Sequence, residues 1–192
     1  MNRSYMGRVM WVDLTHRRIT IESIPDDLYR RFLSGTGLAA WLLYDRIPAG
    51  ADALGPDNVL GFVSGLLTAS GSLFTGRWMA VGKSPLTGTW GDSNCGGNLA
   101  PAIKGCGLDA IFFTGQSDRP VYLHADTKGA SLHDAGHLWG RDAIETERQL
   151  VSEYGVKQRA RVACIGTAGE RRSLIAGIVN HGGRLAARGG LG

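Results

Sequence analysis

The sequence has no long apolar segment and no block of like charges. No stretch of its 192 residues approaches the roughly 18 consecutive apolar residues of a membrane helix, and no apolar signal-peptide core follows the first residues. The net charge of +4 is spread along the chain without a run of about five or six like charges. We therefore expect a cytoplasmic protein that binds neither membranes nor nucleic acids.

Cysteine is also scarce. The three cysteines, at positions 95, 106 and 164, form no CxxC pair, so a disulfide framework is not expected and a reducing compartment fits best. Three scattered cysteines are too few for a 4Fe-4S cluster, which takes four. Among the histidines, His133 and His137 are four residues apart, but no third ligand follows at metal-site spacing. A surface pair is the simpler interpretation.

The abundant residue types indicate one folded domain. Hydrophobic residues make up 43% of the chain, which excludes disorder. Glycine is in excess, with 29 residues, about twice the usual share. The glycines keep no period of three, which excludes collagen, and they fall in short clusters instead. The length corresponds to a single domain.

The predicted elements are mostly strands. Two β-rich runs, 7–14 and 19–24, predict a hairpin, and Pro25 followed by two aspartates predicts a helix to residue 33. A second helix is expected over 38–44. Further strands are expected at 59–63, 77–81, 110–114, 121–124, 160–165 and 174–179, with an amphipathic helix at 141–154. Because the strands come in groups rather than in regular alternation with helices, we expect an α+β fold.

Two glycine clusters resemble nucleotide-binding motifs but lack their context. Residues 35–40 match the dinucleotide pattern G-x-G-x-x-A, yet they follow a predicted helix and not a strand. A helix–helix corner that needs positive φ is preferred there. Residues 76–84 nearly match a P-loop, but the glycines are one residue too far apart and Pro85 stands where the helix should begin. Nucleotide hydrolysis is not expected.

Two later segments pair arginine with glycine. Arg77 lies on a predicted strand that leads through a turn to Asn94 and the glycines 96 and 97. A phosphorylated, planar ligand could be bound by such a combination: a guanidinium group, a side-chain amide and a glycine main chain, all close together. Residues 181–192 again combine Arg184 with glycines. Two separated loops of this kind are what an extended anionic ligand requires; a glycine-rich turn with a surface arginine is the alternative.

Further motifs are spaced along residues 7–192: Gly76-Arg77, residues 83–88, Asn94 with Gly96-Gly97, residues 102–111, 137–142, 145–146 and 165–170, and Arg188-Gly-Gly-Leu-Gly192. Together, and in this order, they resemble the N-terminal domain of the tungsten-containing aldehyde ferredoxin oxidoreductase family. The resemblance implies two mixed β-sheets with a few packed helices, forming the base for a bis-pterin cofactor of tungsten or molybdenum. In this family a magnesium ion bridges the pterin phosphates.

The resemblance also implies roles for individual residues. Asn94 matches a side-chain oxygen ligand of the magnesium, and Leu185 matches a ligand that contributes only its main-chain carbonyl. The family commonly has a smaller residue at the position of Leu185, a change that a main-chain ligand tolerates. The positions that match cofactor contacts are Arg77, Gly96, Gly97 and Arg184.

The implied activity is oxidation of an aldehyde to a carboxylate, with electrons passing through a 4Fe-4S cluster to ferredoxin. In the family the cluster cysteines and the acid–base groups lie in later domains. Residues 1–192 are therefore expected to form one N-terminal cofactor-cradling domain that holds no catalytic residue and is inactive alone. The last five residues carry no closing helix or strand, which agrees with a chain that stops inside a larger fold. Exposed apolar surface and a homodimer are further expectations.

Two alternatives stay open. One is the base domain of a benzoyl-CoA-reductase-like tungsten subunit, in which the same base supports ring reduction. The other is a free-standing module that stores or delivers the pterin cofactor. A reading frame that continues into cysteine-bearing domains would favour an enzyme over the module.

Overall fold

A computed structural model describes residues 4–154 and 160–192. Within these two ranges the chain forms eleven strands and five helices. The strands are β1 (Arg8–Asp13), β2 (Arg18–Ser23), β3 (Leu60–Ser64), β4 (Trp78–Lys83), β5 (Trp90–Cys95), β6 (Ala110–Thr114), β7 (Val121–Ala125), β8 (Ala130–Asp134), β9 (Ala163–Cys164), β10 (Ile178–Asn180) and β11 (Arg184–Ala186). The helices are α1 (Asp26–Phe32), α2 (Thr36–Tyr44), α3 (Leu99–Gly105), α4 (Ala143–Tyr154) and α5 (Thr167–Glu170). The predicted α+β class is confirmed.

A six-stranded mixed sheet forms the centre of the fold, in the order β2-β1-β6-β3-β4-β5. Only the β1–β6 pair in this sheet is parallel. The predicted hairpin of β1 and β2 is confirmed and lies at one edge. Strand β5 lies at the other edge, with Ser93 and Cys95 facing inward and Asp92 and Asn94 facing solvent. This alternation follows from the two-residue repeat of a strand.

Helices α1 and α2 cover one face of this sheet. Pro25 precedes α1, and its fixed φ suits the start of a helix. Acidic residues stand in the first turn and basic residues in the last, where each charge interacts favourably with the helix dipole. The corner between the helices contains Gly35 at φ +65°, as expected for the first glycine cluster. Leu38 and Leu42 of α2 pack with Phe112 of β6 in the largest apolar cluster.

The opposite face is covered by α3 and by two smaller sheets. One sheet has the order β11-β10-β9, and the other is the β7–β8 hairpin, so the described strands divide among three sheets. Trp78 and Ala80 of β4 pack against Ile178 and Ala186 of the three-stranded sheet. The predicted strand at 174–179 is shorter than expected, because Leu174 and Ile175 lie exposed before β10 begins.

A buried polar network fixes the N-terminal segment to the sheet. Asp109 is fully buried and pairs with the buried ammonium group of Lys104. Its carboxylate also accepts a hydrogen bond from Tyr29 Oη at 2.6 Å and from the main-chain nitrogen of Gly7 at 2.8 Å. Buried charges are stable only when paired and hydrogen-bonded in this way, so the network joins α1, α3 and the start of β1.

Candidate functional site

Arg77 and Asn94 meet at the sheet edge formed by β4 and β5. Met79 pairs with Asn94 in the β4–β5 ladder, which brings Arg77, just before β4, beside the end of β5. Arg77 donates from Nε to Oδ1 of Asn94, and from Nη2 to the main-chain oxygen of Asn94 at 3.1 Å. Both side chains are exposed, so the guanidinium group keeps donors free for a ligand.

The turn that follows β5 requires glycine. The indole nitrogen of the buried Trp78 donates to the main-chain oxygen of Gly96 at 3.2 Å and fixes this turn on the sheet. Gly97 has φ +108°, a conformation that side chains rarely adopt. A Cβ on Gly97 would also overlap Oδ1 of Asn180 and lie 3.1 Å from Cβ of His181. The main chain at Gly97 therefore carries no side chain and packs closely against Asn180 and His181.

The β10–β11 hairpin supplies the second arginine. Asn180 pairs with Arg184, and the intervening residues 181–183 all have positive φ, which turns the chain back within three residues. A side chain placed on Gly96 would begin 3.2 Å from Nη1 of Arg184 and 3.7 Å from Nη1 of Arg77. The two arginines, which are far apart in sequence, thus flank the same glycine.

Two serine hydroxyls hold the segment after β11 against the large sheet. Ser93 Oγ donates to the main-chain oxygen of Ala187 at 2.6 Å, and Ser84 Oγ donates to that of Gly189 at 2.8 Å. Leu185 lies on β11 opposite Val179, half exposed, with its side chain against Gly177. Asn94 and Leu185 therefore lie on two packed strands, β5 and β11, and the structure brings all six predicted site residues into one region.

Two arginine side chains bring positive charge to this region. Neither Arg77 nor Arg184 makes an ion pair with any residue in 4–154 or 160–192. Two neighbouring guanidinium groups repel each other, and an anion between them removes that repulsion and accepts charge-assisted hydrogen bonds. Asn94 Oδ1 accepts one bond from Arg77, which leaves a second lone pair for a cation.

One buried polar atom at the site has no partner. Asn180 is 1% exposed and donates from Nδ2 to the main-chain oxygen of Arg184 at 3.2 Å and to Sγ of Cys95 at 3.3 Å. Its Oδ1 accepts no hydrogen bond within the described residues. Such atoms are rare in native structures and mark places that need an explanation. Sequence analysis missed Asn180, and its only signal there is its position directly before His181-Gly-Gly-Arg184.

The histidine pair and the cysteines considered in the sequence analysis lie away from this site or are packed in the interior. His133 stacks on Tyr122, and His137 contacts Glu153 at 3.3 Å, so the pair interacts with its own hairpin and with α4. All three cysteines are free thiols, and burial raises the pKa of Cys164 to about 12. In the part of the chain that the structure describes, no three His, Cys, Asp or Glu residues cluster to hold a metal.

Exposed apolar side chains precede Arg77. Leu73 is 80% exposed and Phe74 is 99% exposed, in the loop between β3 and β4. Exposed apolar surface was expected from the sequence and is present. No helix of the described ranges combines the length and the apolar character needed to cross a membrane.

These features define a domain of a particular class: an α+β base with an arginine- and glycine-lined edge suited to an anionic ligand. The family model "Aldehyde ferredoxin oxidoreductase, N-terminal domain" matches residues 9–192. The chain therefore belongs to the aldehyde ferredoxin oxidoreductase family, as the sequence motifs predicted.

Curated relatives agree with this assignment. The chain is 36% identical over 188 residues to the tungsten-containing aldehyde ferredoxin oxidoreductase of Pyrococcus abyssi, and 38% identical over 186 residues to that of Thermococcus kodakarensis. These matches cover 98% and 97% of this chain but 31% of each relative. The chain thus spans less than a third of the length of these proteins.

A solved structure is similar over the whole chain. It is the active-site complex BamBC of benzoyl coenzyme A reductase in complex with 1,5-dienoyl-CoA. The TM-score is 0.95 and the identity 36%, covering 100% of this chain and 29% of the matched chain. The same fold therefore occurs in a protein with a different named activity.

Proposed function

We propose that this chain anchors a tungsten bis-pterin cofactor in an oxidoreductase that converts an aldehyde to a carboxylate and passes the electrons to ferredoxin. The observation that carries the proposal is the convergence of Arg77 and Arg184 on Gly96, from two loops about a hundred residues apart in sequence. The tungsten in the names of the 36–38% identical relatives supports the choice of metal.

The residues present fit an anionic, planar cofactor. Arg77 and Arg184 donate to phosphate oxygens and neutralise their charge. Gly96 leaves the backbone bare beside both guanidinium groups, whereas Gly97 is needed for the close approach of the buried Asn180 behind the turn. The guanidinium groups of Arg77 and Arg184 make no ion pair within the described residues, which leaves their charge available to such a ligand.

The same edge offers oxygen ligands for magnesium. Asn94 presents a side-chain carbonyl oxygen, and Leu185 would contribute its main-chain carbonyl from the neighbouring strand β11. Magnesium prefers hard oxygen ligands and commonly binds together with phosphate oxygens. No acidic cluster is needed, because the phosphates bring the negative charge. Arg77 competes for one lone pair of Asn94 and thereby orients its carboxamide.

When bound, the cofactor supplies the two-electron redox centre at which the aldehyde is oxidised. The residues described above bind and orient it, exclude water behind the glycine turn and balance its charge. We assign the acid–base groups and the 4Fe-4S cluster to other parts of the enzyme, since this chain spans 31% of its relatives. Leu73 and Phe74 are exposed apolar side chains, which supports the proposal that other parts of the enzyme pack over this loop. Cytoplasmic location and a homodimer belong to the same proposal.

A second function is favoured by the structural comparison. The similarity to the benzoyl coenzyme A reductase complex, at a TM-score of 0.95, supports a tungsten subunit for ring reduction. The base domain alone does not distinguish the two activities, because both would use the same anchoring residues. Substrate assays with the full-length protein separate them: aldehyde-dependent reduction of a viologen dye supports the first function, and reduction of an aromatic acyl-CoA supports the second.

The test of the shared claim is analytical. Full-length protein from a host grown with tungstate is expected to contain tungsten, pterin and magnesium together. Protein that is free of tungsten, molybdenum and pterin and still oxidises aldehydes would refute the proposal. A protein that releases intact pterin cofactor to a second protein, without turnover of either substrate, would instead indicate the carrier module.

A further inference from the structure

Asn180 links the two loops of the candidate site. Its carboxamide nitrogen donates to the main-chain oxygen of Arg184 and to Sγ of Cys95, at 3.2 and 3.3 Å. Its carboxamide oxygen fills the space that a side chain on Gly97 would occupy. One buried side chain thus touches the end of β5, the glycine turn after it and the start of β11.

The orientation of the carboxamide follows from its partners. A main-chain carbonyl only accepts hydrogen bonds, so the nitrogen of Asn180 must face Arg184. Oδ1 is then directed to Gly97, where no donor meets it. Leaving a buried acceptor unpaired costs free energy that an apolar side chain of the same shape would not incur. Cys95, which Asn180 contacts, belongs to an apolar cluster that also includes Ile178 and Ala186.

We propose that Asn180 is a positioning residue for the cofactor site, which sets Arg184 and the Gly96–Gly97 turn at a fixed distance before the ligand binds. This inference rests on the proposed function. Asn180 acts through Arg184 and Gly97, since its own atoms are shielded from solvent. Holding both loops in the bound arrangement lowers the ordering cost of binding, so the hydrogen bond to Arg184 contributes to cofactor affinity rather than to folding stability.

This assignment predicts that a substitution of Asn180 changes cofactor binding without lowering folding stability. The Asn180→Leu substitution keeps the number and branching of the side-chain heavy atoms, removes the unpaired acceptor and also removes the donor to Arg184 and Cys95. Folding stability is expected to stay the same or rise, while the hairpin of residues 181–183 loses its anchor. A residue with a merely structural role would show loss of stability and loss of cofactor together.

The experiment uses the full-length protein in three forms: wild type, Asn180→Leu and, as a matched control, Ser64→Ala. Ser64 is also fully buried, and its Oγ donates to the main-chain oxygen of Asp109 at 2.8 Å, in the buried network around Asp109 and in neither loop of the candidate site. Two quantities are measured: the rate of pterin release after dilution, followed by fluorescence, and hydrogen exchange in peptides covering 94–98 and 180–186. The melting temperature is recorded in parallel.

Asn180→Leu is expected to release pterin at least about ten times faster than wild type and to exchange faster in both peptides, at an unchanged or higher melting temperature. Ser64→Ala is expected to melt earlier but to keep the wild-type release rate. If Asn180→Leu does not fold, Asn180→Ala is compared in its place.

Wild-type release and exchange in the Asn180 variant would overturn the inference. A wild-type protein without any pterin would refute the proposed function instead. In that case the exchange measurement still decides whether Asn180 orders the two loops.

Discussion

Arg77 holds Asn94 at two points, with Nε on the carboxamide oxygen and Nη2 on the main-chain oxygen at 3.1 Å. The pair orients a guanidinium group and an amide oxygen together at the exposed edge of the large sheet. If the proposed function is correct, one residue of the pair contacts phosphate and the other contacts magnesium. Each can be tested separately.

Replacing Arg77 by alanine should weaken cofactor binding. The substitution removes charge-assisted hydrogen bonds worth about 1.5–3 kcal/mol each, which corresponds to an affinity loss of about ten- to a hundred-fold. Pterin and tungsten content after purification measures this loss. Arg18→Ala, an exposed arginine on β2 at the opposite sheet edge, is the control and should keep full cofactor content. Equal cofactor content in both variants would contradict the role of Arg77.

Asn94→Ala should lose magnesium first. A hard cation loses one oxygen ligand, so we expect bound magnesium to fall and pterin to be retained less well. Asn94→Asp keeps an oxygen at this position and should retain magnesium. Metal analysis by mass spectrometry distinguishes the two variants. Magnesium and pterin at wild-type levels in Asn94→Ala would contradict the ligand role and leave Asn94 with a structural role in the turn.

Gly97→Ala should damage the glycine turn. The backbone conformation at φ +108° costs about 1–3 kcal/mol for a residue with a side chain, and the added Cβ overlaps Asn180 in addition. Urea denaturation should show the lower stability, and cofactor content should fall. Gly105→Ala is the control, since nothing lies within 4 Å of its added Cβ. Equal stability of the two variants would contradict the prediction, because it would show that the turn accommodates a side chain at position 97.

Tyr29→Phe tests the buried network. The hydroxyl donates to the Asp109 carboxylate at 2.6 Å, and loss of a hydrogen bond to a charged group costs about 1.5–3 kcal/mol. Urea denaturation measures the change in the free energy of unfolding. Tyr44→Phe, at an 85% exposed tyrosine, should change nothing. A Tyr29→Phe variant as stable as wild type would mean that Asp109 is satisfied without this donor.

The thiol of Cys164 should be unreactive in the folded protein. Burial, and then the carboxylates of Glu147 and Asp142, raise its pKa from 9 to about 12. At pH 8 the reactive thiolate fraction is then about three orders of magnitude smaller than in an unfolded chain. Because the neutral thiol is the favoured form, its contribution to stability is complete below pH 9 and is lost as the pH rises to about 12. Iodoacetamide labelling with peptide mass spectrometry checks this, and rapid labelling of Cys164 without urea would contradict it.

Local signals predicted much of the fold. Pro25 with its following aspartates marked the start of α1, and the polar turn after residue 14 marked the β1–β2 hairpin. Helix α3 was not predicted, because it has seven residues, contains Pro101 and follows two glycines. Strand β8 was missed as well, since Ala130–Asp134 has only weak alternation of apolar and polar residues.

The site was only partly accessible from the sequence. Arg77 and Asn94 belong to one hairpin, so their proximity follows from strand pairing. The approach of Arg184 to Gly96 depends on how a separate three-stranded sheet packs against the large one, which no local pattern encodes. The family motifs pointed to both loops together. The bridging role of Asn180 became visible only through its buried, unpaired oxygen.

The central claim is that these two arginine loops hold a tungsten–pterin cofactor. The most direct test is metal and pterin analysis of full-length wild type beside an Arg77→Ala, Arg184→Ala double variant, both purified from a host grown with tungstate. We predict tungsten, pterin and magnesium together in the wild type and loss of all three in the double variant, with the fold retained. A double variant that keeps its full tungsten and pterin content would contradict the account.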